Sequence, residues 1–72
     1  PEDRICRSPI AGVVVAVVAL AGQQVRKDDP LVTIEAMKMQ STIGATMDGT
    51  VQVIRVNPGE AVKSGQVLVE LA

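Results

Sequence analysis

Apolar residues along this chain come in short runs of β-branched side chains rather than at helical spacing. Val13-Val14-Val15-Ala16-Val17-Val18 and Val51-Gln52-Val53-Ile54-Arg55-Val56 are the fullest of these runs. Val and Ile at that density suit a pleated surface. Turn signals punctuate the runs at Ala11-Gly12, Ala21-Gly22, Asp48-Gly49, Asn57-Pro58-Gly59 and Ser64-Gly65. No longer stretch combines helical periodicity with capping residues. The pattern therefore predicts several short strands and little or no helix.

The same pattern is written twice. Gly12 falls on Gly49 when the chain is slid by 49 − 12 = 37 positions, and the two halves then align without a gap. The repeated glycine suggests a special backbone conformation at both positions, where a Cβ would clash or add strain. Ser8-Pro9-Ile10-Ala11-Gly12 meets Ala45-Thr46-Met47-Asp48-Gly49. Val14 meets Val51, Gly22 meets Gly59, Val25 meets Val62, and Leu31-Val32 meets Leu68-Val69. Val17 with Ile54, Arg26 with Lys63 and Ile34 with Leu71 are conservative matches. A duplicated supersecondary unit explains this register, because each half has a hydrophobic face that only the other half can cover. The expected fold is all-β: a flattened antiparallel β-barrel or sandwich of two pseudo-twofold-related halves.

The second half decodes the first. Val13 to Ala19 is apolar throughout, so alternation cannot say which residues face the core. In the second half Thr50, Gln52 and Arg55 are polar, whereas Val51, Val53, Ile54 and Val56 are apolar. The adjacent Val53-Ile54 pair breaks strict alternation and suggests a bulge there. Carried back, the pattern places Val14, Ala16, Val17 and Ala19 inward and Val13, Val15 and Val18 outward. Three outward valines are either a docking patch or an ordinary valine-rich strand with scattered exposed side chains.

Size and charge narrow the function classes. The chain has 72 residues, room for one domain with one small core. Its single cysteine, Cys6, cannot form an intrachain disulfide, and without histidine a structural zinc site has no ligand set. Packing has to hold the fold. Seven basic and eight acidic residues are scattered for a net charge of −1, with no aromatic residue. Nucleic-acid binding needs clustered cations or stacking faces, and both are missing. The apolar run from Val13 to Ala21 is too short to span a bilayer. The start at Pro1 and the charged residues up to Arg4 read as an excised or processed piece, with residues 1–7 a linker end or first-strand lead-in and residues 8–72 the domain. No signal peptide is visible, and a cytoplasmic location is expected, with the mitochondrial matrix as the alternative in a eukaryote.

One segment has no counterpart in the other half: Glu35-Ala36-Met37-Lys38-Met39-Gln40, between the strand ending near Ile34 and the strand around Ser41 to Ala45. A short connection between adjacent strands is a hairpin. Two-residue hairpin turns favour Gly, Asn or Asp because φ must be positive. Met37-Lys38 provides neither, so the turn is longer or it holds backbone strain. A lysine at a hairpin tip presents an amine. An ordinary alkylammonium is protonated at neutral pH and a poor nucleophile, and no histidine or cofactor-binding glycine motif is present to activate it. Another protein has to acylate it, or else it is one more solvated surface lysine. Met37 and Met39 would by default fill a core. Bracketing a charged residue at a turn fits that default poorly: Met37, beside Lys38 at the tip, is expected to be exposed, and Met39, re-entering the strand, partly packed.

Ala36-Met37-Lys38-Met39 resembles the tetrapeptide of biotin carboxyl carrier domains, a branch of the biotinyl/lipoyl attachment family, and the preceding Glu35 matches too. Ser8-Pro9-Ile10-Ala11-Gly12 is similar to the family's opening segment. Gly22, Val25, Leu31, Ile34, Gly49 and Gly59-Glu60-Ala61-Val62 fall on its other landmarks. The resemblance runs from about Ser8 to Leu71. Gln40 departs where Glu is frequent, and Asp28-Asp29 where Gly is common. The gapless repeat leaves no room for the protruding thumb of some members, so the chain resembles the thumbless type.

The resemblance implies a non-catalytic carrier domain or subunit of a biotin-dependent carboxylase. Lys38 would carry the covalent cofactor, biotin, at the hairpin tip, with Glu35, Ala36, Met37 and Met39 read by partner enzymes. A biotin protein ligase would activate biotin with ATP and acylate Lys38. The tethered group would then shuttle carboxyl between a biotin carboxylase and a carboxyltransferase, serving an acyl-CoA or another carboxylase system. A lipoyl carrier shares the fold but usually flanks its lysine with Asp and Ala, where this chain has Met on both sides. An unmodified interaction module would leave the methionine bracket unexplained.

Overall fold

The computed structural model describes residues 2–72. A 3₁₀ turn, Glu2–Arg4, leads into β1, Ile5–Arg7. Then follow β2, Gly12–Val17; β3, Gln24–Val25; and β4, Pro30–Ala36. The chain continues through β5, Met39–Gly44; β6, Gly49–Ile54; β7, Ala61–Val62; and β8, Val67–Leu71. Two antiparallel four-stranded sheets result, ordered β1-β8-β6-β3 and β5-β4-β2-β7. The 37-residue repeat carries one order onto the other, with β1 on β5, β2 on β6, β3 on β7 and β4 on β8. The fold is the flattened all-β sandwich of two pseudo-twofold-related halves that the sequence predicts. Ile5–Arg7 pair with β8 at Ile5↔Glu70 and Cys6↔Val69, so these residues are part of the sheet.

The core obeys the same repeat. Val14 and Val51, Ala19 and Val56, Val25 and Val62, Leu31 and Leu68, Val32 and Val69, and Ile34 and Leu71 are all buried. Fully burying a Val, Leu or Ile side chain contributes about 1.5–3 kcal/mol. With no disulfide among the described residues, this burial is the main stabilising term. The turns repeat as well. Gln23 Oε1 accepts from Leu20 N at 3.0 Å, and Glu60 Oε1 accepts from Asn57 N at 3.2 Å. Asp29 Oδ2 accepts from Arg26 N at 2.9 Å, and Gln66 Oε1 from Lys63 N at 3.0 Å. Each satisfies a backbone donor that the sheets leave unpaired. Gly22 and Gly59 hold the same positive φ, 87° and 90°, at equivalent turns.

Two expectations about the sheets and turns need correction. The bulge lies one residue earlier than Val53-Ile54. In β6 the pairing runs Val51↔Leu71 and then Val53↔Glu70, leaving Gln52 as the extra residue, and in β2 it runs Val14↔Ile34 and then Ala16↔Thr33, leaving Val15. A bulge places two consecutive side chains on one side of the strand. Ala16 follows Val15 outward and is exposed, although alternation placed it inside. Val53 lies beside Glu70 on the outer face and is half-buried, while Val17 and Ile54 pack against the core. Val13, Val15 and Val18 are outward as expected, at 42%, 37% and 50% exposure.

The second correction concerns Gly12 and Gly49, where the sequence suggests a special backbone conformation. Neither has a positive φ. What each permits is close approach. A Cβ on Gly12 would collide with the Glu35 carbonyl oxygen and lie 2.9 Å from Ile34 Cγ2, and a Cβ on Gly49 would lie 2.8 Å from the Ala72 carbonyl oxygen. Glu35 and Ala72 are themselves one repeat apart (72 − 35 = 37), so the two glycines perform the same service in each half.

Candidate functional site at the β4–β5 hairpin

β4 and β5 are paired as far as Ala36↔Met39, which leaves Met37 and Lys38 as the whole turn. Both have positive φ, 53° and 66°. Positive φ at both central residues is the signature of the tight turn whose twist matches the flanking strands, usually built from Asn-Gly or Asp-Gly. A side chain with a Cβ costs about 1–2 kcal/mol in this region. The turn is therefore the short, strained alternative of the two the sequence leaves open.

The hairpin tolerates that strain because its base is fixed. Leu31, Val32 and Ile34 on β4 are fully buried. Ala36 is half-buried, within 3.2 Å of the position a Gly12 Cβ would occupy. A larger residue at position 12 would force the last turn of β4 outward. Gly12 thus positions the hairpin, a role the sequence shows only as a glycine repeated in both halves.

β5 extends past the core along the sheet edge. Met39, Gln40, Ser41 and Thr42 are exposed, although Ser41 pairs with fully buried Ile34. This places the residues singled out from sequence together at one tip. Lys38 and Glu35 are exposed, Met37 is 95% exposed and Met39 is 71% exposed. Met39 corrects the idea that it packs as the chain re-enters the sheet. It shares a face with Ala36 and Ile34 but lies beyond the last core side chain, with nothing to cover it.

The ion pairs among the described residues join Arg55 and Arg4 to Glu70, at 2.7 and 3.7 Å, and leave Lys38 out. A primary amine at a protruding tip, with two thioether side chains held in water beside it, can be reached by another protein's active site from several directions. A concavity of about 430 Å³ does occur, lined by Gln24, Val25, Arg26, Asp29, Asp48, Gly49 and Thr50. None of the hairpin residues contributes to it.

Comparison with known proteins places the chain in a family. The model described as "Biotin-requiring enzyme" matches residues 5–71, nearly the whole chain. The chain belongs to the biotin-requiring enzyme family. Biotin, held covalently, is accordingly the cofactor of the domain. The biotin-requiring domain is 43% identical to the human mitochondrial propionyl-CoA carboxylase alpha chain over 93% of its length, covering 9% of that protein. It is 38% identical to the biotin carboxyl carrier protein of Streptococcus mutans over 90% of its length, covering 50% of that protein. The Kluyveromyces lactis urea carboxylase contains the same fold with a TM-score of 0.90 at 31% identity, over 94% of this chain and 6% of that one. The chain therefore spans half or less of the relatives it matches.

Proposed function

We propose that Lys38 is the biotin acceptor and that the domain carries carboxyl groups between the active sites of a biotin-dependent carboxylase. The observation that supports this most is the strained two-residue turn, which sets the Lys38 amine at the tip between exposed Met37 and Met39. The site fits the cofactor: amide attachment needs an accessible primary amine, and Lys38 is exposed at the end of a rigid hairpin.

A biotin protein ligase supplies the activated carboxyl. The Lys38 Nζ lone pair attacks it, the C–N amide bond forms, the activating group departs with its bonding electrons, and the amine gives up a proton. Biotin bound on Lys38 would supply the carboxyl-carrying chemistry, and the hairpin would hold its point of attachment. The protein's part is geometric. The buried base of β4 fixes where the arm begins, and the tether raises the local concentration of the reactive end at each partner site. Carboxylase and carboxyltransferase components are the partners implied by the relatives' names, an acyl-CoA, pyruvate or urea system among them. A lipoyl role is disfavoured by methionine on both sides of the lysine.

Met37 and Met39 are readers' marks in this account. Because both are exposed, Met37→Gln and Met39→Gln are expected to shift stability by no more than about 0.5 kcal/mol. Both are expected to slow biotin transfer by the ligase, Met37→Gln more strongly because it adjoins the acceptor. Thermal melts with single-turnover biotinylation rates check this. A large melting loss with an unchanged rate would make either methionine a packing residue.

A further inference from the structure

The pseudo-twofold provides an internal control for surface composition. Val13, Val15 and Val18 lie on the outer face of the sheet that carries the Lys38 hairpin, and Ala61 of β7 lies opposite Val13 on that face. Their counterparts on the other sheet are Thr50, Gln52, Arg55 and Gln24. The backbone environment is the same in both halves, down to the bulge at Val15 and Gln52. Only Ala16 and its counterpart Val53 are apolar on both sides. The fold therefore tolerates polar residues at these outer positions, and the hairpin-bearing sheet has apolar ones instead.

We propose that this valine face is where the biotin-attaching ligase docks. The inference rests on Lys38 being the acceptor. Before the cofactor is attached, only the lysine side chain bridges domain and enzyme, so the ligase has to press its active site against the hairpin. Later active sites are reached through the longer biotinylated arm and need no such closeness. A stable interface buries about 800 Å² on each partner, and a two-residue tip cannot supply that area. The interface has to continue down the domain, whose extents are 31 × 20 × 18 Å. Val13 pairs with Glu35, three residues from Lys38, so at about 3.3 Å per residue the valine face begins about 10 Å from the acceptor. It then runs through Val15 to Val18 on the same sheet, away from the tip. Polar Glu35, Gln40 and Thr42 flank it on the hairpin strands, the arrangement of an apolar interface centre with a polar rim.

The test substitutes the counterpart residues from the other half. Val15→Gln combined with Val18→Arg, and Val13→Thr separately, place on this face side chains that the same fold already accepts at the equivalent positions. Gln52→Ser on the opposite sheet is the control. Steady-state biotinylation of the 72-residue chain by a biotin protein ligase, with biotin and ATP, is measured for each, alongside thermal melts. The Val15→Gln/Val18→Arg double variant is expected to raise the ligase KM about tenfold or more, with kcat, which depends on the unaltered tip, nearly constant. Val13→Thr is expected to raise KM by a smaller factor, and Gln52→Ser to leave it unchanged. Equal KM for the double variant and the unaltered chain, with both folded, overturns the docking inference. So does a normal ligase KM combined with reduced turnover in the assembled carboxylase, which would assign the face to a downstream enzyme. Absence of biotin on Lys38 in the unaltered chain would instead refute the acceptor assignment on which the inference rests.

Discussion

Replacing Lys38 by Arg is expected to abolish biotin uptake while leaving the melting transition where it was. The guanidinium keeps the positive charge and roughly the length, and at an exposed tip it disturbs no packing. Surface changes of this kind usually move stability by less than about 0.5 kcal/mol. Positive φ at position 38 is as unfavourable for Arg as for Lys, so the strain of the turn is unaltered. What is lost is the chemistry. The delocalised guanidinium stays protonated and offers no amine lone pair for ordinary amide formation. Avidin blotting after ligase treatment reads the result, with circular dichroism melts as the folding control. A folded Lys38→Arg protein that still takes up biotin would reject the acceptor assignment.

The largest stability effect is expected at Gly12. A valine there drives its Cβ into the Glu35 carbonyl and against Ile34 Cγ2, backbone and core atoms of the strand that supports the Lys38 hairpin. Overpacking of this kind costs about 1–3 kcal/mol. In a domain of this size each kcal/mol lowers Tm by about 4–8 °C. Gly49→Val makes the equivalent but milder collision, 2.8 Å from the Ala72 carbonyl oxygen and otherwise against the flexible end of Met47 rather than core atoms. The expected order of stability is unaltered chain, then Gly49→Val, then Gly12→Val. Gly12→Val should also slow biotinylation, because it displaces Ala36 at the base of the hairpin. Thermal melts rank the three proteins, and a Gly12→Val melt matching the unaltered chain would contradict the close-approach account.

Much of this was legible in the sequence because the chain states its fold twice. One half alone gives an ambiguous apolar run at Val13 to Ala19; the second half resolves most of it, and the buried set of one half maps onto that of the other. The bulge was visible as a break in alternation, but its position was not. Two apolar neighbours at Val53 and Ile54 look like two inward residues. In the structure the pairing slips at Gln52, and Val53 lies half-buried beside Glu70. Hydrophobicity reports preference for burial, whereas register depends on which backbone groups pair, and a single sequence does not contain that information. Gly12 and Gly49 were legible in part: the clash a Cβ would make is there, and the special conformation is not. Glycine signals either positive φ or close approach, and only a neighbouring strand reveals which. The candidate site was legible through Lys38 and its methionines. The exposure of Met39 was not, because it depends on how far β5 runs beyond the core.

The most direct measurement is peptide mapping of the biotin adduct after incubation with a biotin protein ligase, biotin and ATP. The chain has three lysines, Lys27, Lys38 and Lys63, all exposed. Accessibility alone would therefore spread the modification over all of them. The account predicts one biotinyl group per chain, confined to the peptide containing Lys38, and a net charge one unit more negative than the original −1. Biotin on Lys27 or Lys63, or a distribution over the three, would contradict it.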